Sequence, residues 1–396
     1  MTKMEKVSAS FAWRTHLGGM QSRSRILDGG DVLFVGTCGD AWNVRDRADG
    51  VHCISKLTGQ SLWFTATLAD VNEMALAGPD LLVPTDIGDL LVIDVTTGAI
   101  KTIYRVDSSV LGQPLIYRNG TRWSALFASI AGTIYSIDSN DDQLLEIGTI
   151  SGGVRASLVP TGPQGFLAAT ETGLVVRASM KRNDLQCEIL AEAPRGTYGG
   201  GTSITATPLI RGDLAFVGYA RDTYDAQPAV FCLNWRSGEV VWSAEGNVDD
   251  TYGNVRTTPA VVGDRLAVAS SYSDSVLFID PASGSYLGEV KLGQSVFQQW
   301  SSPVLVGPDV VALGRVDGVV SLIDAQSLKL LTSISLQTAG AETLTRLHSG
   351  GGDEVFGLYP GEPAPAGAIC GTPLSSNNKL YVGTTDGILG AISVGW

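Results

Sequence analysis

LLVIDVTTGAIKTIY (Leu90–Tyr104), VFCLNWRSGEVVWSAEG (Val230–Gly246) and VLFIDPASGSYLGEV (Val276–Val290) are one phrase written three times. Each begins with a short β-branched, apolar run. An Asp or Asn follows, then Ser/Thr-Gly, then a second run with period-2 alternation. The alternation reads as two strands, and the Asx and Ser/Thr-Gly residues between them read as a tight turn. Looser copies are VHCISKLTGQSLWF from Val51, TIYSIDSNDDQLLEI from Thr133 and VVSLIDAQSLKLLTSI from Val319. Anchoring on the residue before the turn gives eight copies, at Ser55, Asp94, Asp138, Ala178, Asn234, Asp280, Asp324 and Ser393. The mean spacing is about 48 residues, the length of a four-stranded propeller blade.

Two more strands precede each phrase. The first opens at a proline in GQPLIY (Pro114), TATPLI (Pro208), TTPAVV (Pro259), SSPVLV (Pro303) and GTPLSS (Pro373). Proline suits a strand start, where its missing N–H breaks no central ladder. The second is β-branched and ends small, as in DVLFVGT, DLAFVGY, RLAVASS and KLYVGTT. The predicted unit is therefore strands A, B, C, a turn, and strand D. Repeated radially, such units make a propeller. The expected fold is all-β, an eight-bladed β-propeller forming one domain over residues 1–396. Its blades fall roughly at 20–70, 71–109, 110–152, 153–196, 197–247, 248–294, 295–340 and 341–396. The last copy stops after strand C, and ASFAWRTHLGG near the N-terminus reads as the missing strand D. Strand 8–19 is thus expected to complete the last blade and close the ring.

Composition agrees with one large β domain. Of 396 residues, 44% are hydrophobic and 17% charged, enough apolar material for a core and too little charge for disorder. The 48 glycines imply many tight turns. A net charge of −13 repels phosphate backbones, so no nucleic-acid partner is expected. No apolar run is long enough to span a bilayer, so no membrane insertion is expected. MTKMEKVSASFAWRTHLGG has no apolar signal core. The five cysteines, Cys38, Cys53, Cys187, Cys232 and Cys370, are dispersed with no CxxC pair and read as reduced thiols. Cys38 and Cys53 flank one hairpin, which leaves a disulfide there as a minor alternative. Together these features give a cytoplasmic expectation.

At this level the repeat resembles the pyrroloquinoline-quinone-like (quinoprotein-like) β-propeller family. That family's phrase places a small residue and Asp on strand C, Thr-Gly at the turn and Trp on strand D. Blade 1 carries Thr58-Gly59 and Trp63, and blade 5 carries Ser237-Gly238 and Trp242. Blade 2 keeps Asp94 and Thr97-Gly98 with Thr102 at the Trp position. Blade 6 keeps Asp280 and Ser283-Gly284 with Gly288 there. The resemblance implies two kinds of role: quinone-dependent dehydrogenases with calcium over the channel, or cofactor-free binders of proteins. The adjacent cysteine pair often found near the quinone is missing, and no quinone or other cofactor is expected.

Catalytic patterns are absent. HExxH, GxSxG, GxGxxG and GxxxxGK[ST] do not occur. Asp138, Asn140 and Asp142 mimic a calcium loop, but Gln143 stands where glycine is needed, so a polar turn is expected and no metal. His16 and His52 fall on strands and read as packed or surface residues. His348 alone lies in a long connection. Trp13, Trp63 and Trp242 on strands D read as packing between blades.

The feature that reads as functional is one set of long connections. In a propeller the D–A and B–C connections share a face. Here they are long in CGDAWNVRDRADG (blade 1), YARDTYDAQP (blade 5), APRGTYGGGTSIT, NVDDTYGNVR, GQSVFQQW and RLHSGGGDEVFGLYPGEPAPAGAIC. They carry the candidate partner-binding residues Trp42, Arg45, Tyr198, Asp222, Tyr224, Tyr252, Arg256, Gln299, Trp300, His348, Glu354 and Tyr359. Aromatics and arginine on loops over a rigid scaffold are the composition of binding hot spots. The expected function is a non-catalytic protein-interaction or scaffold propeller, one subunit of a bacterial multi-component or defence-type system, and not an enzyme. The alternative is a small-ligand sensor or enzyme with its site at the channel mouth, lined by Thr205, Thr207, Arg256, Thr257, Gln299, Ser301 and Thr372.

Overall fold

The computed structural model describes residues 7–21, 24–39, 44–141, 143–181, 184–195, 201–221, 229–244, 254–269, 275–292, 301–337 and 367–396. Eight sheets of four antiparallel strands form the ring, each in the order A-B-C-D from the channel outward. Blade 1 is typical: Ile26–Asp28, Val32–Cys38, Asp49–Ser55 and Ser61–Ala66. The B and C strands are buried on both faces because each blade is covered by its two neighbours. Val310–Gly314 and Ser275–Ile279 have every residue buried. The outer strands alternate, as in the eieieieie pattern of Ser8–His16. That difference is why the B and C phrases read as solid apolar runs and the D phrases as alternation.

Ring closure follows the sequence reading. Ser8–His16 pairs antiparallel with the last strand, Ile388–Gly395, from Ser8↔Gly395 to His16↔Ile388, with a bulge between Phe11 and Trp13. The chain then enters blade 1 along blade 8, where Leu17 N donates to Gly387 O at 2.7 Å and Met20 N to Thr384 O at 3.0 Å. The five strand-opening prolines stand one residue before their inner strands, as Pro114 does before Leu115–Asn119.

The repeated Asp has a plain local cause. Asp94 Oδ1 accepts the N–H groups of Thr96 and Thr97, each at 3.0 Å, and the Thr97 hydroxyl at 3.1 Å. Asn234 and Asp324 cap their turns in the same way. Blade 4 departs from the register because Ala178 offers no such acceptor. Its strand C runs on to Lys181, and strand D begins at Asp184.

The tryptophans explain the rest of the phrase. Trp13 of blade 8 lies over Gly59 of blade 1 and donates Nε1–H to Lys56 O at 3.0 Å. Trp63 of blade 1 lies over Gly98 of blade 2 and donates to Val95 O at 3.2 Å. Trp242 of blade 5 lies over Gly284 of blade 6 and donates to Pro281 O at 3.0 Å. A Cβ on any of these glycines would fall 2.5–2.8 Å from the indole, and all three have φ of +73° to +76°. Turn glycine and tryptophan are thus partners across a blade boundary. Blades 2 and 6 keep the glycine without the tryptophan because the glycine serves the preceding blade. Gly238 of blade 5 instead meets Leu190 of blade 4.

The five cysteines carry free thiols. Cys38 pairs across the hairpin with Asp49 and Cys53 with Phe34, so the two thiols sit on different rungs and the alternative disulfide has no geometry. Burial pushes the Cys232 and Cys370 thiols up to about 12, which makes them packing groups. His52 is packed against Phe64, ring centroids 4.5 Å apart, and burial lowers it to about 4.

Candidate functional site

Among the described residues, the face bearing the D–A and B–C connections is built most elaborately at blades 5 and 6. Strand B of blade 5, Leu214–Gly218, leads into Ala220–Arg221, which pairs with Thr202–Ser203 from the preceding D–A connection. This two-stranded ribbon stands outside the eight blades. Asn254, on the next D–A connection, locks it from the other side. Its Oδ1 accepts Arg221 N–H at 2.7 Å and its Nδ2 donates to Arg221 O at 3.2 Å. Arg221 is buried, stacks over Tyr219 at 4.9 Å and donates to its hydroxyl. Three connections therefore meet in one clamp beside the channel.

Blade 1 also has an ordered base under its long B–C connection. Asp46 accepts the N–H groups of Ala48 at 2.6 Å and Asp49 at 3.1 Å, while Asp49 Oδ2 accepts Asp46 N–H at 2.9 Å. The Thr37 hydroxyl donates to Ala48 O at 2.8 Å. Asp46 and Asp49 are turned onto the backbone, and Arg45 and Val44 are exposed.

The channel end of the face carries one polar side chain two residues ahead of each inner strand: Ser24, Glu73, Gln113, Ser157, Thr207, Thr258, Ser302 and Thr372. Several link successive blades. Gln113 N donates to Ser157 Oγ at 2.9 Å, Ser157 N to Thr207 Oγ1 at 3.1 Å, Thr258 N to Ser302 Oγ at 3.0 Å and Ser302 N to Thr372 Oγ1 at 3.1 Å. Glu73 reaches furthest. It is buried, accepts the Ser157 hydroxyl of blade 4 at 2.6 Å, and faces Arg25 Nε of blade 1 at 3.4 Å. Both carboxylate oxygens of this buried side chain are thereby engaged, as a buried polar group requires.

This arrangement bears on the channel-mouth residues. Thr257 donates to Ala269 O at 2.9 Å, and Ser301 Oγ accepts Gly314 N–H at 3.0 Å. Thr257 and Ser301 thus brace strand B of their own blades, while Thr207 and Thr372 serve the interblade links. Thr205 is buried with no hydrogen-bond partner for its Oγ1. Among the described residues no three His, Cys, Asp or Glu side chains converge on a metal-sized site. None of the described residues forms a helix, so none crosses a membrane as one.

Of the candidate residues, the structure places Arg45, exposed on blade 1, and Arg256, half-buried two residues after Asn254 in the blade 5–6 clamp. Trp42, Tyr198, Asp222, Tyr224, Tyr252, Gln299, Trp300, His348, Glu354 and Tyr359 lie outside the described residues. So does Asp142 of the calcium-like turn. Sequence reasoning missed the clamp residues Arg221 and Asn254 and the crossing Arg25–Glu73–Ser157 contact. The only sequence signal for Glu73 is its place two residues before an inner strand.

Comparison with known proteins follows this geometry. The sequence model of the family described as "Outer membrane protein assembly factor BamB" matches residues 132–394. Among solved structures, BamB from Moraxella catarrhalis superposes with a TM-score of 0.68 at 16% identity, covering 98% of each chain. The computationally designed Ika8 protein superposes with a TM-score of 0.65 at 15% identity, covering 95% of this chain and 98% of its own. At these identities the likeness is one of fold. No curated protein matches the sequence.

Proposed function

The chain belongs to the family of the outer membrane protein assembly factor BamB, and from that premise we propose that it is a non-catalytic scaffold that binds a protein partner through its D–A/B–C face. An assembly factor acts by contact, and contact needs a rigid frame carrying adaptable loops. The observation that supports this reading is the blade 5–6 clamp. There Asn254, Arg221 and the Thr202–Ser203 ribbon tie the described parts of three connections to one another, beyond the four-stranded sheets themselves. The candidate hot spots, Trp42, Tyr198, Tyr224, Tyr252, Trp300 and Tyr359 with Arg45, Asp222, Arg256, Gln299, His348 and Glu354, belong to the connections that share this face. The proposed setting is the cytoplasm, as one subunit of a bacterial multi-component or defence-type system, with no cofactor and no nucleic-acid or membrane partner.

The test uses the full chain as bait in native lysate, followed by titration of the purified captured protein. A stoichiometric complex weakened by Arg45→Ala, whose side chain is exposed, with the melting temperature held, supports the proposal. Stoichiometric binding of pyrroloquinoline quinone, or dye-linked alcohol oxidation after reconstitution with the quinone and calcium, contradicts it.

A further inference from the structure

Blade 8 meets blade 1 along the strand that closes the ring. Trp13 of Ser8–His16 docks on Gly59. Tyr381, Leu389 and Ala391 of blade 8 share one apolar cluster with Leu33, Val35 and Ile54 of blade 1. His52 lies on that boundary. The register sets it between Val35 and Phe64, and period-2 alternation puts it on the same face as Ile54. Its ring stacks on Phe64, centroids 4.5 Å apart. Its Nδ1 is buried and has no hydrogen-bond partner among the described residues. The neutral ring tolerates this, because Nδ1 then carries only a lone pair and the proton sits on Nε2. In the imidazolium both nitrogens are donors. A proton added at Nδ1 therefore enters an apolar boundary as a charged N–H with no acceptor.

The charged and titratable groups around this boundary are already committed. Lys56 lies over the Tyr381 ring, 5.8 Å from its centroid, and is paired with Asp28. Burial and Asp28 raise the Tyr381 phenol, which stays neutral. Lys379 shares a strand face with Tyr381 and adds only positive charge. Asp386 accepts the Thr384 hydroxyl. Arg14 turns the other way, to Leu336 O of blade 7, and His16 is exposed at the strand end. Asp49 lies on the opposite face of the strand that carries His52 and accepts Asp46 N–H. Burial, with no charged neighbour contributing, lowers His52 to about 4.

We propose that His52 is an acid-sensitive latch, and that its protonation loosens strands C and D of blade 1 from the ring-closing strand of blade 8. The opening is confined to that side. On the other side, Trp63 Nε1–H donates to Val95 O at 3.2 Å and the Thr65 hydroxyl to Gly98 O at 2.5 Å, which keeps the outer strand on blade 2. Once the boundary opens, the ring regains water and its ordinary value of about 6.5. The closed boundary is thus at full strength above pH 6.5. It weakens roughly tenfold for each pH unit below that, and levels off below pH 4. Such a histidine senses mild acid, where the carboxylates of the turns are still ionised.

The experiment is hydrogen–deuterium exchange of the full chain from pH 7.5 to pH 4.5, corrected for the intrinsic pH dependence of exchange. An NMR titration of the three histidines accompanies it. Protection of Ser8–His16 should fall roughly tenfold per pH unit below 6.5, while that of Leu214–Gly218 in blade 5 holds. His52→Phe and His52→Gln should each flatten the response, and His16→Gln should leave it as in the parent. If neither His52 variant folds, the His52 ring of the parent decides, with a midpoint expected near 4. A midpoint of about 6.5, or protection of Ser8–His16 that falls equally in the parent and in His52→Phe, overturns the proposal.

Discussion

Trp63 and Gly98 show how little of an interblade contact can be read along one strand. The phrase puts a turn glycine and a tryptophan side by side in one blade, yet each tryptophan docks on the glycine of the following blade. Contacts of this kind join residues 35 to 46 positions apart, and nothing in the local pattern reports them. Trp63→Ala should lower stability by about 3 kcal/mol, the low end for a large aromatic because the ring is half-buried. Gly98→Ala should cost about 2 kcal/mol through its positive φ and the indole above it. The double variant should cost less than the sum, since removing the indole relieves the clash. Chemical denaturation of the three variants checks this, and strict additivity contradicts the contact. Asp94 gives a pH-dependent counterpart. Hydrogen bonds from Lys101 and from Thr97 hold its carboxyl down at about 2, against about 3.9 in an unfolded chain. Its stabilisation is therefore complete above pH 4 and disappears as pH falls toward 2. Asparagine caps the same turn in blade 5. Asp94→Asn should accordingly keep the turn cap, lose the Lys101 share of the neutral-pH stability, and show a shallower acid limb in melting temperature against pH. An unaltered acid limb would show that the cap is not titrating there.

Single strands and connections were legible to different degrees. The strands were readable because period-2 alternation, proline starts and Asx turns all point the same way. Blade 4 escaped the register because, without a capping Asp, its hairpin extends to Lys181. The N-terminal strand was readable because the last copy lacks a D strand and the first residues supply one. Its role is a prediction about the whole ring. Deleting residues through Gly19 removes the nine-residue ladder on Ile388–Gly395 and the docking of Trp13 on Gly59. It also leaves the edge of the last blade bare. Loss of cooperative melting, or aggregation in light scattering, is expected. A monomer melting at the parent temperature would show that the ring closes without it. The polar ring at the channel was not legible as a unit. Glu73 and Ser157 are 84 positions apart, and blades 2 and 4 both lack the proline that precedes the inner strand in five other blades.

At the scale of the molecule, the propeller is a frame with one plain face and one elaborated face, and the proposed function rests on that asymmetry. The residue types of the long connections could be read from the sequence. The clamp that stiffens them could not, because Asn254 and Arg221 meet only once blades 5 and 6 are side by side. A lid over the channel and a binding face require the same aromatics but predict different losses. Truncating a central hot spot typically costs about 2 kcal/mol or more of affinity. The deciding measurement is calorimetric affinity for the captured partner, taken together with melting temperature, for Trp42→Ala, Tyr252→Ala, Trp300→Ala and Tyr359→Ala. A binding face predicts weakened association for at least Trp42→Ala and Tyr359→Ala with melting temperatures held. Lower melting temperatures with affinity unchanged in all four would contradict it.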